Sequence, residues 1–460
     1  MYSIIKEFPK KKITRLDRIT ANFIISKRIV LIILGDIKVN LENVPTHLFK
    51  LLRLKDFSSI ASLNIPEETF VWIINKNTTI YPKEFINSIN NYSKSSDLIY
   101  FDEEFLFNHS IYPFLKPCWS PIYFSYNNIG NAIWIKFKLL KSSSFLTLSD
   151  FTKNISSLAI KVNYISEIIS QSEVKTLEIS NNFKPTYPIS DKLNLVSIIV
   201  LTKDKSDYLS KLINSILTKT TYNNYEIIIV DHDSIEKETL QLFKSYSENT
   251  KIKIIKYFGE FNFSLMNNLA SKKVNGSYLL FLNNDIEILE NNWIERMMYF
   301  AKQSNIGIVG AKLLYPNISV QHCGIAVGIY STTGHFQRGI DENDPGYMNT
   351  ARNPREILAV TGACMLIAKS KFEEIQGFNE KFKVIFNDVD LCLKLYSKGY
   401  TNMVLNDLKF LHHEKVTRKN ILTSEKDNLN IKLFWKTWGK YVRNDPYFNK
   451  HFSRNSENLD

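Results

Sequence analysis

Tyr278-Leu-Leu-Phe-Leu-Asn-Asn-Asp285 runs an apolar strand straight into two amides and a carboxylate. A strand of that composition belongs inside a mostly parallel sheet, where ligands gather beyond the carboxyl ends of the strands. Asp285 then stands where a metal ion or a phosphate is met. A strand ending in Asn-Asp is equally an ordinary turn, so the flanking sequence has to decide between the two.

Upstream, apolar runs predict strands over 196–201, 226–230 and 252–257, and helical spacing predicts helices over 208–217 and 263–274. A helix over 293–303 follows the opening strand. This alternation calls for parallel βαβ units with right-handed crossovers. Past residue 305 it breaks down. Strands are expected over 306–314 and 357–367, separated by a stretch from 321 to 355 with little periodicity, the kind of segment that serves as a functional loop or lid. Helices over 369–375 and 388–397, strands over 402–405 and 409–411, and an aromatic helix over 433–442 complete the pattern.

A polar stretch at 180–192 with Pro185 and Pro188 reads as a linker. The expected organisation is therefore an N-terminal domain (1–190), a second α/β domain (191–420) and a helical tail (421–460). The first domain has strands at 29–34, 70–74 and 97–101. Its strand 70–74 runs into Asn75-Lys76-Asn77, the place that Asn283 to Asp285 occupy later, but without the acid. That suggests a repeat of the fold whose first copy cannot hold a metal.

The 460 residues are 44% apolar, enough for two well-packed cores, and carry a net charge of +12 with pI near 9.1. Such a balance suits an anionic partner, whether a nucleotide phosphate or an acidic membrane surface. No nucleic-acid-binding motif is present, so no nucleic acid partner is expected. Cys118, Cys323, Cys364 and Cys392 lack both disulfide-scaffold density and zinc spacing and read as thiols of a reducing compartment. Residues 1–12 are not followed by a signal-length apolar segment, and no window approaches a bilayer span. The expected location is cytoplasmic, with the aromatic tail helix either packing on the core or touching a membrane surface.

Four polar clusters fall at strand ends or loops: Thr202 to Asp204, Asp231 to Ser234, Asn283 to Asp285, and Asn387 to Asp390. The first three share one sheet edge and should face one crevice. Asp231 either accepts hydrogen bonds from a ribose or base or forms an Asx turn. Asp285 has the chemistry to ligate a hard divalent cation beside a diphosphate. Asp388 and Asp390 open a helix, as caps or as groups facing the crevice, where a base would deprotonate an attacking hydroxyl. Of His412 and His413, only one can face the crevice if the chain is extended.

Residues 196–420 resemble the family 2 glycosyltransferases of the GT-A fold, most closely a subgroup of bacterial O-antigen and surface-polysaccharide assembly that includes rhamnosyltransferases. An ordered series carries the likeness: Val196 to Asp204, Tyr225 to Asp231, Phe261-Asn-Phe-Ser264, Leu280 to Asp285, Val309 to Tyr315, Gln321-His-Cys-Gly324, Thr361-Gly-Ala-Cys364, Gly377-Phe-Asn-Glu380, Phe386 to Cys392, and His412-His-Glu414. The resemblance implies a Rossmann-like GT-A catalytic domain and an inverting transfer from a nucleotide-sugar donor to a glycan acceptor, expected to be lipid-linked. It implies Thr202, Asp204, Asp231, Asn283 and Asn284 around the nucleotide, and Thr361, Gly362, Ala363 and Asp390 around sugar and acceptor. Asp388 matches the base. Asp285 and His412, with His413 as alternate, match ligands of Mn²⁺ or Mg²⁺. His232, Asp233 and Lys415 depart from the family's usual Asn, Gly and Ser, which bears on nucleotide preference. Asp97 to Glu104 and Pro113 to Pro121 resemble a segment of tandem domains in the same subgroup, implying a degenerate, non-catalytic GT-A-like first domain. The competing expectation is a catalytically silent glycan-binding or scaffold protein; a Rossmann oxidoreductase is disfavoured because no Gly-rich loop follows the strand at 196–201.

Overall fold

The computed structural model describes residues 29–60, 62–92, 95–127, 129–141, 160–174, 187, 194–413 and 425–458. Residues 1–12, most of the stretch at 180–192, and Lys415 lie outside them. The chain forms two compact units, residues 1–182 and 183–460. The expected boundary at 190 therefore falls earlier. Tyr187 explains the shift: its hydroxyl donates to Asp407, and its ring meets Tyr299 and Phe300 edge-on at 5.6 and 5.9 Å.

In the second unit the main strands are β1 (Val196–Thr202), β2 (Tyr225–Asp231), β3 (Ile252–Lys256), β4 (Tyr278–Asn283), β5 (Ile286–Ile288), β6 (Ile306–Leu314), β7 (Cys364–Ala368) and β8 (Thr401–His412). The helices are α1 (Ser206–Lys219), α2 (Lys237–Tyr246), α3 (Phe263–Ser271), α4 (Trp293–Ala301), α5 (Lys369–Glu374), α6 (Asn387–Ser397) and α7 (Glu425–Arg443). The sheet path is β3-β2-β1-β4-β7-β6-β8-β5. Strands β3, β2, β1 and β4 are parallel, β7 runs antiparallel to both β4 and β6, and β6 is parallel to β8. Apolar runs such as Ile227 to Ile229 are fully buried because helices cover the sheet, and each such side chain stabilises by about 1.5–3 kcal/mol.

Two strands differ from expectation. The segment 357–367 is not one strand: it divides into Arg355–Ile357 and β7, and the turn between them delivers Thr361 to Ala363 to the crevice. The pieces expected at 402–405 and 409–411 are one strand, β8, because residues 406–408 bulge between Leu405, paired with Ala311, and Lys409, paired with Lys312. The irregular stretch at 321–355 is partly ordered, with a hairpin of Ile325–Val327 and Thr333–His335.

The tail is part of the second unit. Phe434, Trp438, Val442 and Tyr447 are buried in its main core, so the aromatics of α7 pack on protein. Phe386, held at φ +63° just before α6, stacks on Phe434 with ring centroids 4.6 Å apart and 19° between planes. Among the described residues no helix is long and apolar enough to cross a membrane.

The first unit repeats the strand path. Strands Phe49–Leu54, Ile29–Leu34, Phe70–Ile74, Ile133–Lys136, Leu98–Phe107, Val162–Glu173 and Thr78–Ile80 lie side by side in that order. Their senses, parallel, parallel, antiparallel, antiparallel, parallel, antiparallel, match β2-β1-β4-β7-β6-β8-β5 step for step. Within this unit Asp102 accepts the Lys116 backbone N–H at 2.7 Å, and Glu103 meets the Lys116 ammonium at 2.9 Å with both side chains fully buried. The acidic and Pro-rich segments are thereby tied together in its core.

Candidate active site

A cavity of about 770 Å³ opens at the carboxyl ends of β1 and β4. One wall is Thr202, Lys203, Tyr208, His232, Phe261, Phe263 and Met266. The His232 ring lies 5.7 Å from Phe261 and 5.6 Å from Tyr257, and its Nε2 meets the Gly259 carbonyl at 2.8 Å. These rings offer flat faces for a base to stack on.

The opening strand supplies the second wall: Asn283, Asn284 and Asp285, joined by His412 and His413. Asn284 Nδ2 donates to Thr202 Oγ1 at 3.0 Å, tying the ends of β1 and β4 together. Antiparallel pairing sets Ile286 opposite His412, and the His413 N–H donates to the Asp285 carbonyl at 2.9 Å. That register brings His412 Nε2 to 3.0 Å from Asp285 Oδ1, a buried oxygen that accepts no hydrogen bond. Burial pushes the Asp285 carboxyl up, but His412 and then His413 beside it hold it below its ordinary value. An imidazole nitrogen and an orphaned carboxylate oxygen at this spacing fit neighbouring ligands of an octahedral divalent ion with bonds of about 2.1 Å. Among the described residues no group of three or more His, Cys, Asp or Glu forms a cage, so the other ligands would be substrate oxygens and water. Both histidines line the cavity, but His413 turns its Nε2 to Glu287 Oε2 at 3.0 Å, which leaves His412 as the partner of Asp285.

Thr361, Gly362, Ala363, Asn387 and Asp388 form the third wall. The Gly362 N–H donates to Asp388 Oδ2 at 2.9 Å and the Val389 N–H to Oδ1 at 2.8 Å. Burial pushes the Asp388 carboxyl above its ordinary value, and those two N–H groups offset it only in part. A carboxylate of raised basicity facing a cavity has the profile of a general base.

Three expected ligand residues are held by partners of their own. Asp204, Asp231 and Asp390 do not line the cavity. Asp204 Oδ1 accepts the N–H groups of Ile235 and Glu236 at 2.8 and 2.9 Å, and Asp231 Oδ1 accepts that of Ser234 at 2.9 Å. Both shape the turn that precedes α2. Asp390, 1% exposed, accepts the Trp438 indole N–H at 2.8 Å beneath the site. A carboxylate at an element end caps as readily as it binds.

The fourth wall, Tyr315, Gln321, His335 and Arg338, was assigned no role from the sequence. Its signals were the Gln321-His-Cys-Gly324 match and the aperiodic stretch that contains it. The tail braces this wall. Glu457 accepts the His335 backbone N–H at 2.6 Å and pairs with Arg338 at 3.2 Å, and its carbonyl accepts the Gln337 N–H at 2.7 Å.

Residues 197–376 match the family model Glycosyl transferase family 2. The chain is 32% identical over 280 residues to the O-antigen biosynthesis protein RfbC of Myxococcus xanthus, covering 59% of this chain and 21% of that protein. It is 32% identical over 264 residues to the uncharacterized protein y4gI of Sinorhizobium fredii, 56% of this chain and 29% of that one. The match thus spans less than a third of either relative. Among solved structures, GalNAc-T7 with UDP, GalNAc and Mn²⁺ aligns with a TM-score of 0.44 at 13% identity, over 55% of this chain and 49% of that chain. The matched stretch carries all four of the cavity's walls in whole or in part, while Asn387, Asp388, His412 and His413 lie beyond its end, and residues 197–376 are a family 2 glycosyltransferase domain.

Proposed function

We propose that the second unit transfers a sugar, with inversion, from a nucleoside-diphosphate donor to a hydroxyl of a glycan acceptor, lipid-linked, in bacterial surface-polysaccharide assembly. The observation that carries this reading is that Asp388 and the Asp285–His412 pair face one cavity. The aromatic wall at His232 and Phe261 takes the base, and Thr202, Asn283 and Asn284 line the same cavity as polar groups for ribose and diphosphate. Asp388 accepts the proton of the acceptor hydroxyl as its oxygen attacks the anomeric carbon from the face opposite the diphosphate. The bond from that carbon to the diphosphate oxygen breaks, and its electron pair leaves with the nucleoside diphosphate. Mn²⁺ or Mg²⁺ held by Asp285 and His412 would supply Lewis-acid neutralisation of the leaving group. Arg338 and Lys203 add positive charge to the same cavity.

For the first unit we propose a degenerate GT-A-like domain without catalysis. Its repeated strand path supports this, as does its register: the Glu173 N–H donates to the Asn77 carbonyl, just as the His413 N–H does to Asp285. Asn77 thus stands in the Asp285 position and Ser172, paired with Thr78, in that of His412.

Transfer and slow hydrolysis of UDP-, dTDP- and GDP-sugars with Mn²⁺ test the proposal. Asp388→Asn should lower kcat by ~10²–10⁴ while nucleotide affinity holds. Equal turnover in wild type and variant, or no nucleotide binding with metal at all, would instead favour a silent glycan-binding protein.

A further inference from the structure

The Gln321-His-Cys-Gly324 segment lies on the cavity wall, yet the transfer step leaves it without work. Its hydrogen bonds can be followed donor by donor. His412 Nδ1 lies 2.6 Å from Gln321 Oε1, and both side chains are about 95% buried, at 5% and 4% exposure. An amide oxygen only accepts, so the proton of this bond is on His412 Nδ1. The other ring nitrogen of a neutral imidazole is then a bare lone pair. That nitrogen faces Asp285 Oδ1 at 3.0 Å and Asn283 Nδ2 at 3.5 Å.

Gln321 is itself fixed by a second chain. The Thr361 backbone N–H reaches His322 Nε2 at 3.4 Å, which leaves the His322 proton on Nδ1. That nitrogen lies 3.2 Å from His335 Nδ1, so His322 donates and His335 accepts. The remaining His335 proton sits on Nε2 and is directed at the backbone of Gln321. Burial pushes His322 down to about 3 and His335 well below its ordinary value, which keeps both rings neutral in this chain. Strand Val320–His322 pairs with β6, adding backbone restraint to the glutamine.

We propose that Gln321 is a positioning residue that locks His412 in its Nδ1–H tautomer and so aims the Nε2 lone pair, beside Asp285 Oδ1, at a divalent cation. Orienting partners of this kind hold the tautomer and ring direction of a metal-binding histidine. The inference rests on the metal reading given under Proposed function, and its test separates the two.

The test uses the full chain with two variants: Gln321→Met, which keeps length but has no acceptor, and Gln321→Glu, which keeps acceptor oxygens. With ¹⁵N-labelled histidine and no metal present, the His412 ring should show a protonated Nδ1 in wild type and in Gln321→Glu. In Gln321→Met that preference should be lost. Mn²⁺ affinity, read from the free-ion electron paramagnetic resonance signal with UDP present, should fall ~10–100-fold in Gln321→Met and be held in Gln321→Glu. UDP binding without metal should stay the same in all three, a readout that general unfolding would move. An unprotonated Nδ1 in wild type, or equal Mn²⁺ affinity in wild type and Gln321→Met, would overturn the role of Gln321. A wild type that binds no Mn²⁺, with or without UDP, would overturn the metal reading and this inference together.

Discussion

The basicity of Asp388, the proposed base, is set by competition. Burial raises its pKa above the ordinary 3.8, while the N–H groups of Gly362 and Val389 pull it back. Only the carboxylate can take a proton, so kcat/KM should fall as pH drops through a value above 3.8, and the residual activity of Asp388→Asn should lack that limb. A pH series of initial rates checks this. The same shift has a cost in stability: what this group contributes is full below the ordinary carboxyl pKa and is lost as pH rises through the raised one. At this scale the sequence was partly legible. Asn283, Asn284, Asp285, Asp388 and His412 were readable because a strand or helix end aims them at one sheet edge. Asp204, Asp231 and Asp390 lie off the cavity lining, their acceptors serving N–H groups of Ile235, Ser234 and the distant Trp438, and identity alone does not separate a cap from a ligand. His335 and Arg338 were invisible because no periodicity places them.

Helix α7 does its work on α6. Phe434 lies under Phe386, whose left-handed backbone is a conformation that costs about 1–3 kcal/mol and persists only where packing over-determines it. Trp438 holds Asp390 one turn along. Phe434→Ala should destabilise the second unit by about 3–5 kcal/mol, as other buried phenylalanine deletions do. It should also lower kcat more than it changes nucleotide affinity, because α6 carries the proposed base. Denaturant titration and steady-state rates measure the two effects. Amphipathic aromatics on α7 were legible as an apolar face, but a core and a membrane surface ask for the same pattern, and only the position of Phe386 distinguishes them. The alternating first half of the second unit was legible for a simple reason: local periodicity and parallel crossovers say the same thing there. Where pairing is long-range, as in the bulged β8 or the divided 357–367 segment, local pattern failed.

Over the whole molecule, one strand path is used twice and the ligand pair is present once. Wild-type chain with UDP should therefore bind one Mn²⁺, Asp285→Asn should bind none, and Asn77→Ala should leave the stoichiometry at one; equilibrium dialysis counts the ions. Missing acid at Asn77 was readable from the sequence, but the replacement of His412 by Ser172 was not, because it depends on which residues two distant strands bring face to face. The bracing of the cavity by Glu457 has a further consequence for biosynthesis. His335 and Arg338 are translated more than a hundred residues before the carboxylate that holds them. On the ribosome this wall therefore gains its bracing only after Glu457 has cleared the exit tunnel, and a chain stopped at residue 450 would lack the Glu457 contacts to His335, Gln337 and Arg338.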